Sequence, residues 1–155
     1  MNATDLPADL RDALVVAVDD SPSSRAALRF AADLAAGLGR PLHVLSAWNF
    51  ITGSAPQQDP DAPPSVEAWQ AEAERRLAAM LSEESSGHPD PDLRPVVVHG
   101  NTVPTLLAAS ELAAHLIVGN RGRGGFSALL LGSTSEQLVR HAGCPVTVVR
   151  PRTTR

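Results

Sequence analysis

Short apolar runs recur along the chain and alternate with longer segments in which apolar residues return every three or four positions. Each run is rich in Val, Leu and Ile and is too short for a typical helix, which is typical of a strand buried on both faces. The longer segments have the spacing of helices that cover a sheet with one side. The pattern predicts five strands, at 13–18, 41–48, 93–98, 115–118 and 145–149.

Four helices are predicted between these strands. The first begins with Ser21 as its cap and Pro22 at its first position, a combination that favours helix initiation. The second covers about 65–84, the third follows the third strand, and the fourth covers 133–141. The sheet-facing residues are predicted to be Ala27, Phe30, Ala31, Leu34 and Leu38 in the first helix, and Val66, Trp69, Ala73, Leu77 and Met80 in the second.

Strands that alternate with helical crossovers predict a doubly wound α/β fold, in which a five-stranded parallel sheet carries helices on both faces. The 155 residues match the length of about one domain and are enough to bury a core. We therefore expect 1–155 to form a single domain. The segment 51–64, rich in Pro, Asp and Gln, is predicted to be a mobile loop within it.

The composition excludes several classes of protein. No apolar run approaches the roughly 20 residues of a membrane-spanning helix, and no secretory signal is evident, so we expect neither a membrane protein nor a secreted one. The single cysteine, Cys144, permits no internal disulfide, which fits a cytoplasmic location. The absence of lysine excludes a Walker-type phosphate loop and lysine nucleophiles, and the five histidines lack the spacing of a zinc site.

Charge is distributed unevenly along the chain. Residues 1–118 carry 16 acidic side chains and 7 arginines, a net charge of −9, whereas residues 119–155 carry 6 arginines and one glutamate, a net charge of +5. A short basic segment in an acidic protein favours a local anion site over a nucleic-acid surface, which needs a broad basic face. We therefore expect no nucleic-acid partner, and we expect Arg150, Arg152 and Arg155 to be solvated.

The basic part contains a glycine-rich segment, VGNRGRGGFSALLLGSTSEQL, at 118–138. In doubly wound sheets ligands bind beyond the carboxyl ends of the strands, where the strand order reverses. The first strand ends at Asp19 and Asp20 and the fourth ends in the glycine segment, so both are expected at one crevice. Glycines with positive φ would turn N–H groups toward an anion, and Gly132 would bring the start of the fourth helix to the same place.

The spacing of these glycines resembles that of the universal stress protein family. Nucleotide-binding members of that family carry Gly, two residues, Gly, nine residues and then Gly-Ser or Gly-Thr, and Gly119, Gly122, Gly132 and Ser133 match this pattern in full. The resemblance extends over VVAVDDSPSSRAALRFA and GCPVTVVR, and so over nearly the whole chain. It implies the strand order 3-2-1-4-5, ATP held across the first and fourth strands, and homodimers.

The resemblance also implies roles for individual residues. Asp20 stands where the family commonly has glycine, and its carboxylate could repel a triphosphate or help to hold Mg²⁺, which prefers carboxylate and phosphate oxygens. The residues assigned to the nucleotide are Gly119, Gly122, Gly132 and Ser133 at the phosphates and ribose, Arg121 and Thr134 beside them, Asp19 at the nucleoside, and Val44 at adenine.

Simpler structural roles stay open for several of these residues. Gly119 and Gly122 could form a tight turn and nothing more, and Asp19 could merely cap the first helix. Ser133 and Glu136 match the capping box S-x-x-E, which a helix start uses with or without a ligand. The arginines of the glycine segment could be solvated, although an arginine bound to phosphate is a strong interaction.

Three functions are compatible with these features. The first is a regulatory module of the stress response whose state depends on bound ATP, accompanied by Mg²⁺. The second is a dimeric scaffold that uses no nucleotide, against which the intact glycine pattern argues. The third is a slow ATP hydrolase, for which no nucleophile with its base is evident. The apolar strand 146–149 at the edge of the sheet predicts the homodimer contact.

Overall fold

The computed structural model describes residues 6–51, 56, 64–84, 92–122 and 130–151. All five predicted strands and all four predicted helices are present at the expected places. The strands are β1 Leu14–Ala17, β2 Leu42–Trp48, β3 Leu93–His99, β4 His115–Gly119 and β5 Val146–Val149. The helices are α1 Pro22–Leu38, α2 Val66–Glu84, α3 Thr102–Ser110 and α4 Ser133–His141, and a 3₁₀ turn covers Ala8–Leu10.

The sheet is parallel throughout and its strand order is β3-β2-β1-β4-β5. This confirms the predicted doubly wound α/β fold. β1 lies at the centre, where Val16 is level with Val44 of β2 on one side and with Ile117 of β4 on the other. The chain moves outward from β1 to β3 and then returns to β4, so the strand order reverses between β1 and β4. Sheets of this kind bind ligands at such a reversal.

Alternate residues of each strand face opposite layers of helices. Val16 and Val44 belong to the core beneath α1 and α2, whereas Val15 and Leu45 belong to the core beneath α3 and α4. Both faces of the sheet are therefore apolar. This is why the strands appear in the sequence as continuous apolar runs instead of alternating ones.

The predicted inner face of α1 is confirmed for Ala27 and Ala31, which are buried, and for Leu34, which packs against the same core. Phe30 and Leu38 are 43% and 56% exposed, so the prediction that they face the sheet is wrong. The buried face carries three alanines spaced four apart, Ala27, Ala31 and Ala35, together with Leu28, and the prediction missed Leu28 and Ala35. The three small side chains let the backbone of α1 lie close to the strands, while Leu28 fills the core beside them.

In α2 the predicted face is confirmed except at its first residue. Leu77 and Met80 are buried, and Trp69 and Ala73 are partly buried against the same core. Val66 is 49% exposed, so its predicted place on the inner face is wrong. Val66 is the first residue of the helix, and the buried residues of α2 begin only at Glu72.

An aromatic cluster joins the start of α2 to the ends of β2 and β3. Trp48 stacks on His99, with ring centroids 4.4 Å apart, and on Trp69, with centroids 6.1 Å apart. Phe50 meets all three rings edge to face. The indole N–H of Trp48 donates a hydrogen bond to Gln70 at 2.8 Å, so this buried donor is satisfied. The cluster closes the core beneath α2 at the carboxyl edge of the sheet.

Two sequence-based expectations concern the periphery of the fold. The predicted mobile loop 51–64 lies almost wholly outside the described residues. In the parts of the chain that the structure describes, no helix combines the length and the apolar character needed to cross a membrane.

His43, the second residue of β2, is a buried polar group near the amino edge of the sheet. Its side chain is 1% exposed, and Nε2 lies 3.7 Å from the Asp9 carboxylate. Neither ring nitrogen has a hydrogen-bond partner among the described residues. Burial lowers the pKa of His43; Arg94 acts in the same direction, while Asp9 and Asp92 oppose the shift. His43 is therefore neutral at pH 7.

We predict that His43→Leu removes part of the pH dependence of stability. The pKa in the fold lies below the ordinary value of about 6.5, so as the pH falls the unfolded chain takes up a proton that the fold excludes, and the parent loses stability. Leucine cannot titrate and leaves no unpaired nitrogen. Urea unfolding between about pH 7 and pH 5 should give a variant at least as stable as the parent at neutral pH and a flatter slope below it. Equal slopes for the two proteins would contradict this account.

Candidate functional site

The turn between β1 and α1 is built from short polar residues. Ser21 caps α1 as predicted, because its side-chain oxygen accepts a hydrogen bond from the Ser24 N–H at 3.2 Å. Asp19 does not cap the helix; its Oδ1 accepts a hydrogen bond from the Ser21 N–H at 3.1 Å. Between these two residues, Asp20 has a φ of 66°, in the left-handed region. The turn thus fixes the direction in which the Asp19 carboxylate projects.

Gly119, the last residue of β4, lies against the first turn of α1. A Cβ at this position would be 2.7 Å from the carbonyl carbon of Ser23 and 2.8 Å from its Cβ. Because the nearest atoms include backbone, a side chain at residue 119 could be accommodated only by moving the helix away from the strand. Glycine is therefore required here by packing, whether or not a ligand binds.

Hydrogen bonds join the β1–α1 turn to the segment after β4. Ser23 Oγ donates to Asn120 Oδ1 at 3.0 Å, and Ser21 Oγ donates to the Arg121 carbonyl at 3.3 Å. Asn120 is buried, and its N–H donates to the Val149 carbonyl of β5 at 2.8 Å. The two polar turns therefore lie side by side at the carboxyl ends of β1 and β4.

Gly122 lies directly beside the Asp19 carboxylate. A Cβ at Gly122 would be 2.6 Å from Asp19 Oδ2, so any larger residue would have to displace that carboxylate. On its other side Gly122 is close to Gly132, where an added Cβ would be 3.7 Å from the Gly122 nitrogen. Gly122 and Arg121 are exposed, and Asp19 is half-buried. The Asp19 carboxylate, the backbone of Gly122 and the start of α4 thus lie together at the protein surface.

The start of α4 is held at the end of β4. The Gly132 N–H donates to the Asn120 carbonyl at 2.8 Å, and Ser135 Oγ donates to the Gly119 carbonyl at 2.7 Å. The cap position is Gly132, and within the described part of the chain no side chain caps this helix. The capping-box prediction is therefore wrong, because Ser133 is already the first helical residue and lies one position too far along the chain to cap it.

The glycines contribute by close approach and not by unusual backbone angles. Among the described glycines, Gly39 at the end of α1 is the one with positive φ, whereas Gly119, Gly122 and Gly132 have none. The prediction of positive φ is therefore wrong for Gly119 and Gly122, whereas Gly132 brings the start of α4 to the end of β4 as predicted. Residues 123–129, which include the other glycines of the segment, lie outside the described residues.

Val44 lies away from this place. It is fully buried in the core beneath α1 and α2, and its backbone is paired with strands on both sides. It is level with Val16, three residues before Asp19. A base at the carboxyl edge would not reach it, so the structure does not place Val44 at the site. Extending the same register by three residues makes Ala47 the residue of β2 that is level with Asp19.

The Asp20 carboxylate is bound to Arg25 of α1. Asp20 Oδ1 accepts hydrogen bonds from Arg25 Nη2 at 2.6 Å and from Nε at 2.9 Å. Arg25 also donates to Glu83 at 2.8 Å and to Glu84 at 3.2 Å, and hydrogen bonds to Glu83 and Asp20 raise the pKa of its guanidinium. A carboxylate engaged in this way does not fit the predicted magnesium ligand. The described residues also contain no cluster of three or more potential metal ligands.

The exposure of Arg150 agrees with the prediction that it is solvated, but the residue also contacts the protein. Although it is exposed, its Nη2 approaches the Leu130 carbonyl at 3.4 Å, and Asn120 Nδ2 approaches the same carbonyl at 3.4 Å. Arg150 therefore lies beside the segment that leads into α4. Arg152 and Arg155 lie outside the described residues.

Sequence reasoning missed the buried polar residues that join the elements of the site. Ser23 binds Asn120 across 97 residues of sequence, and Ser135 binds the carbonyl of Gly119 across 16 residues. In the sequence, the one feature that marked these serines was that each is a small polar residue near a residue of the predicted site. Of the predicted site residues, the structure brings together Asp19, Gly119, Arg121, Gly122, Gly132, Ser133 and Thr134.

We predict that Gly119→Ala destabilises the protein by about 1–3 kcal/mol, because the new methyl group must push α1 away from β4. Gly37→Ala is the matched control. Residue 37 lies in α1, the helix that Gly119 contacts, and nothing lies within 4 Å of a Cβ added there. Alanine at residue 37 should therefore be neutral or stabilising by up to about 1 kcal/mol. Urea unfolding of both variants measures the difference. A Gly119→Ala protein as stable as the parent would show that α1 and β4 do not touch in this way.

The chain is similar to proteins of one known family. Residues 11–150 match the model of the universal stress protein family. A universal stress protein of Mycobacterium tuberculosis is 36% identical over 140 residues, which cover 88% of this chain and 43% of that protein. The chain thus spans about half the length of the curated relatives it matches.

Two solved structures share the fold over almost their whole length. The universal stress protein UspA from Lactobacillus plantarum gives a TM-score of 0.70 at 24% identity, covering 90% of this chain and 99% of that chain. A universal stress protein in complex with cAMP gives a TM-score of 0.63 at 25% identity, covering 89% of this chain and 96% of that chain.

Proposed function

The chain belongs to the universal stress protein family, and we propose that it is a regulatory module of the stress response whose state depends on an adenine nucleotide bound at the carboxyl ends of β1 and β4. The observation that carries the proposal is the position of Gly122, with the Asp19 carboxylate on one side and the start of α4 on the other. ATP is the nucleotide that the sequence resemblance implies.

The three parts of the site match the parts of a nucleotide. A carboxylate such as that of Asp19 accepts hydrogen bonds from ribose hydroxyl groups. The N–H groups at the start of a helix attract phosphate oxygens, and Gly122 leaves its backbone open to close approach. Ala47, at the end of β2, replaces Val44 as the proposed neighbour of the base.

Of the two helix starts at the site, that of α4 is better suited to bind phosphates than that of α1. At α1 the Ser21 side chain already accepts a hydrogen bond from the first turn, whereas at α4 the cap is Gly132, which has no side chain to do so. Among the described residues no side chain occupies the first N–H groups of α4, so these groups and the helix dipole are the better site for an anion, and the exposed Arg121 adds positive charge nearby. The net charge of +5 over residues 119–155 acts in the same direction.

The relative in complex with cAMP supports an adenine nucleotide in a protein of this fold. The regulatory part of the proposal follows from where the site lies. α1 and α4 cover opposite faces of the sheet, and a ligand that contacts the starts of both would restrain them together. A partner protein that prefers one of the two states would then respond to the nucleotide.

We predict that Gly122→Val weakens ATP binding at least tenfold, about 1.4 kcal/mol, because valine would displace the Asp19 carboxylate and fill the approach to α4. Ser133→Ala should weaken binding by removing a hydroxyl group, yet change stability by less than about 0.5 kcal/mol, since Ser133 does not cap α4. Arg140→Ala is the control, because Arg140 pairs with Glu136 further along the same helix. It should leave affinity unchanged.

Isothermal titration calorimetry with ATP, AMP and cAMP measures these affinities, and thermal melts without nucleotide separate binding from folding. If the parent binds none of the three nucleotides, the protein is a scaffold and the proposal is wrong. If Gly122→Val binds as tightly as the parent, the site lies elsewhere. Release of ADP and phosphate during the titration would identify a hydrolase.

We also propose a homodimer formed through β5. β5 is the last strand of the described sheet, and its residues are all partly exposed. An apolar edge of this kind is a template for pairing with a second copy. A charged residue in place of Val148 should shift the protein toward monomer in sedimentation equilibrium, with thermal melts to verify that the variant is folded. A parent that sediments as a monomer at micromolar concentration would contradict this proposal.

A further inference from the structure

Asp20 adopts a backbone conformation that side-chain-bearing residues seldom adopt. Its φ of 66° lies in the left-handed region, which Asp tolerates better than most residues but less readily than glycine. The turn is nevertheless needed, because the residues on either side of it carry the site. Asp19 projects its Oδ2 toward Gly122, and its Oδ1 is held by the Ser21 N–H. If residue 20 relaxed to negative φ, the Asp19 carboxylate would change direction.

Arg25 holds this turn from outside. It donates two hydrogen bonds to Asp20 Oδ1, at 2.6 and 2.9 Å, from a helix whose first turn is already fixed against β4. Its remaining donor group binds Glu83 and Glu84 at the last turn of α2. A guanidinium that contacts three carboxylates at once is restricted in its rotation, and this restrains the Asp20 carboxylate.

We propose that Arg25 is a positioning residue of the nucleotide site. By holding the Asp20 carboxylate it maintains the left-handed turn that directs the Asp19 carboxylate toward Gly122, and it ties that turn to the end of α2. The inference rests on the proposed function, because it assigns Arg25 a role in that site. It also explains how a position that favours glycine accommodates aspartate in this chain.

The test is a comparison of Arg25→Ala in two backgrounds, one with the parental Asp20 and one with Asp20→Gly. Glycine adopts the left-handed conformation without help, so it should make Arg25 unnecessary. In the parental background Arg25→Ala should weaken ATP binding roughly threefold to tenfold in calorimetry. In the Asp20→Gly background the same change should alter affinity by less than about twofold.

Arg29→Ala is the matched control. Arg29 lies one turn further along α1 and donates to the same Glu84 at 2.6 Å, so its removal disturbs the same group of ion pairs. The control should leave affinity unchanged. An equal effect of Arg25→Ala in both backgrounds, or an equal effect of Arg29→Ala, would overturn the inference, because Arg25 would then act through its charge or through general stability.

A nucleotide-free measurement separates this inference from the proposed function. In NMR spectra of the parent, residue 20 should show the strong intraresidue amide–Hα NOE that accompanies positive φ, and Arg25→Ala should weaken it. The same variant should shift the amide resonances of Asp19 and Gly122 in the parental background and leave them in place in the Asp20→Gly background. A parent that binds no nucleotide but shows these shifts would remove the proposed function alone. Unchanged spectra in Arg25→Ala would remove the positioning role.

Discussion

The contact between the first turn of α1 and the end of β4 is the constraint on which the rest of the site depends. Only glycine at residue 119 lets the Ser23 backbone come so close. That approach brings Ser23 within hydrogen-bond distance of Asn120. Asn120 in turn binds β5 through its N–H and the start of α4 through its carbonyl. One close contact therefore determines where four elements meet, and the polar edge between β1 and β4 follows from it.

Much of the fold could be predicted from the sequence because its strands are buried on both faces. Continuous runs such as residues 13–18 are both too short for helices and too apolar for loops, so their positions were clear. The face of α1 was not predictable in the same way. Periodicity placed Phe30 and Leu38 on one stripe with Ala27 and Ala31, whereas in the structure the alanines are buried and the two large residues are exposed. Which of them is buried depends on a partner element distant in sequence.

The candidate site, like the fold, could be predicted from the sequence only in part. The glycine spacing identified the segments that meet, because glycine marks places where another chain segment approaches closely. It could not show which property of glycine was used, and none of the described motif glycines has positive φ. Val44 was assigned to the base although it is level with Val16, three residues before Asp19. Which residue of β2 lies level with Asp19 depends on the strand register, which the sequence does not show. Ser133 was assigned as a cap because a cap and the first helical residue differ by a single position, which sequence alone does not fix.

Polar groups lie at both the amino and the carboxyl ends of the strands, but they have different roles at the two ends. At the amino edge, His43 is buried beside Asp9 without a hydrogen-bond partner among the described residues, an arrangement that affects stability and its dependence on pH. At the carboxyl edge, the polar groups are paired with one another, from the Ser23–Asn120 contact to the ion pairs of Arg25. Their organisation around an accessible Gly122 is the property expected of a binding site rather than of a core.

The most direct test of the account is to follow the backbone amide resonances of the parent protein during a titration with ATP. A nucleotide bound between β1 and β4 should perturb the amides of Asp19, Gly122 and the first turn of α4, beginning at Ser133, and leave the amino ends of β2 and β3, at Leu42 and Leu93, unchanged. Saturable perturbations confined to this group are the result that the account predicts. Perturbations centred on another surface, or none at millimolar ATP, would contradict it.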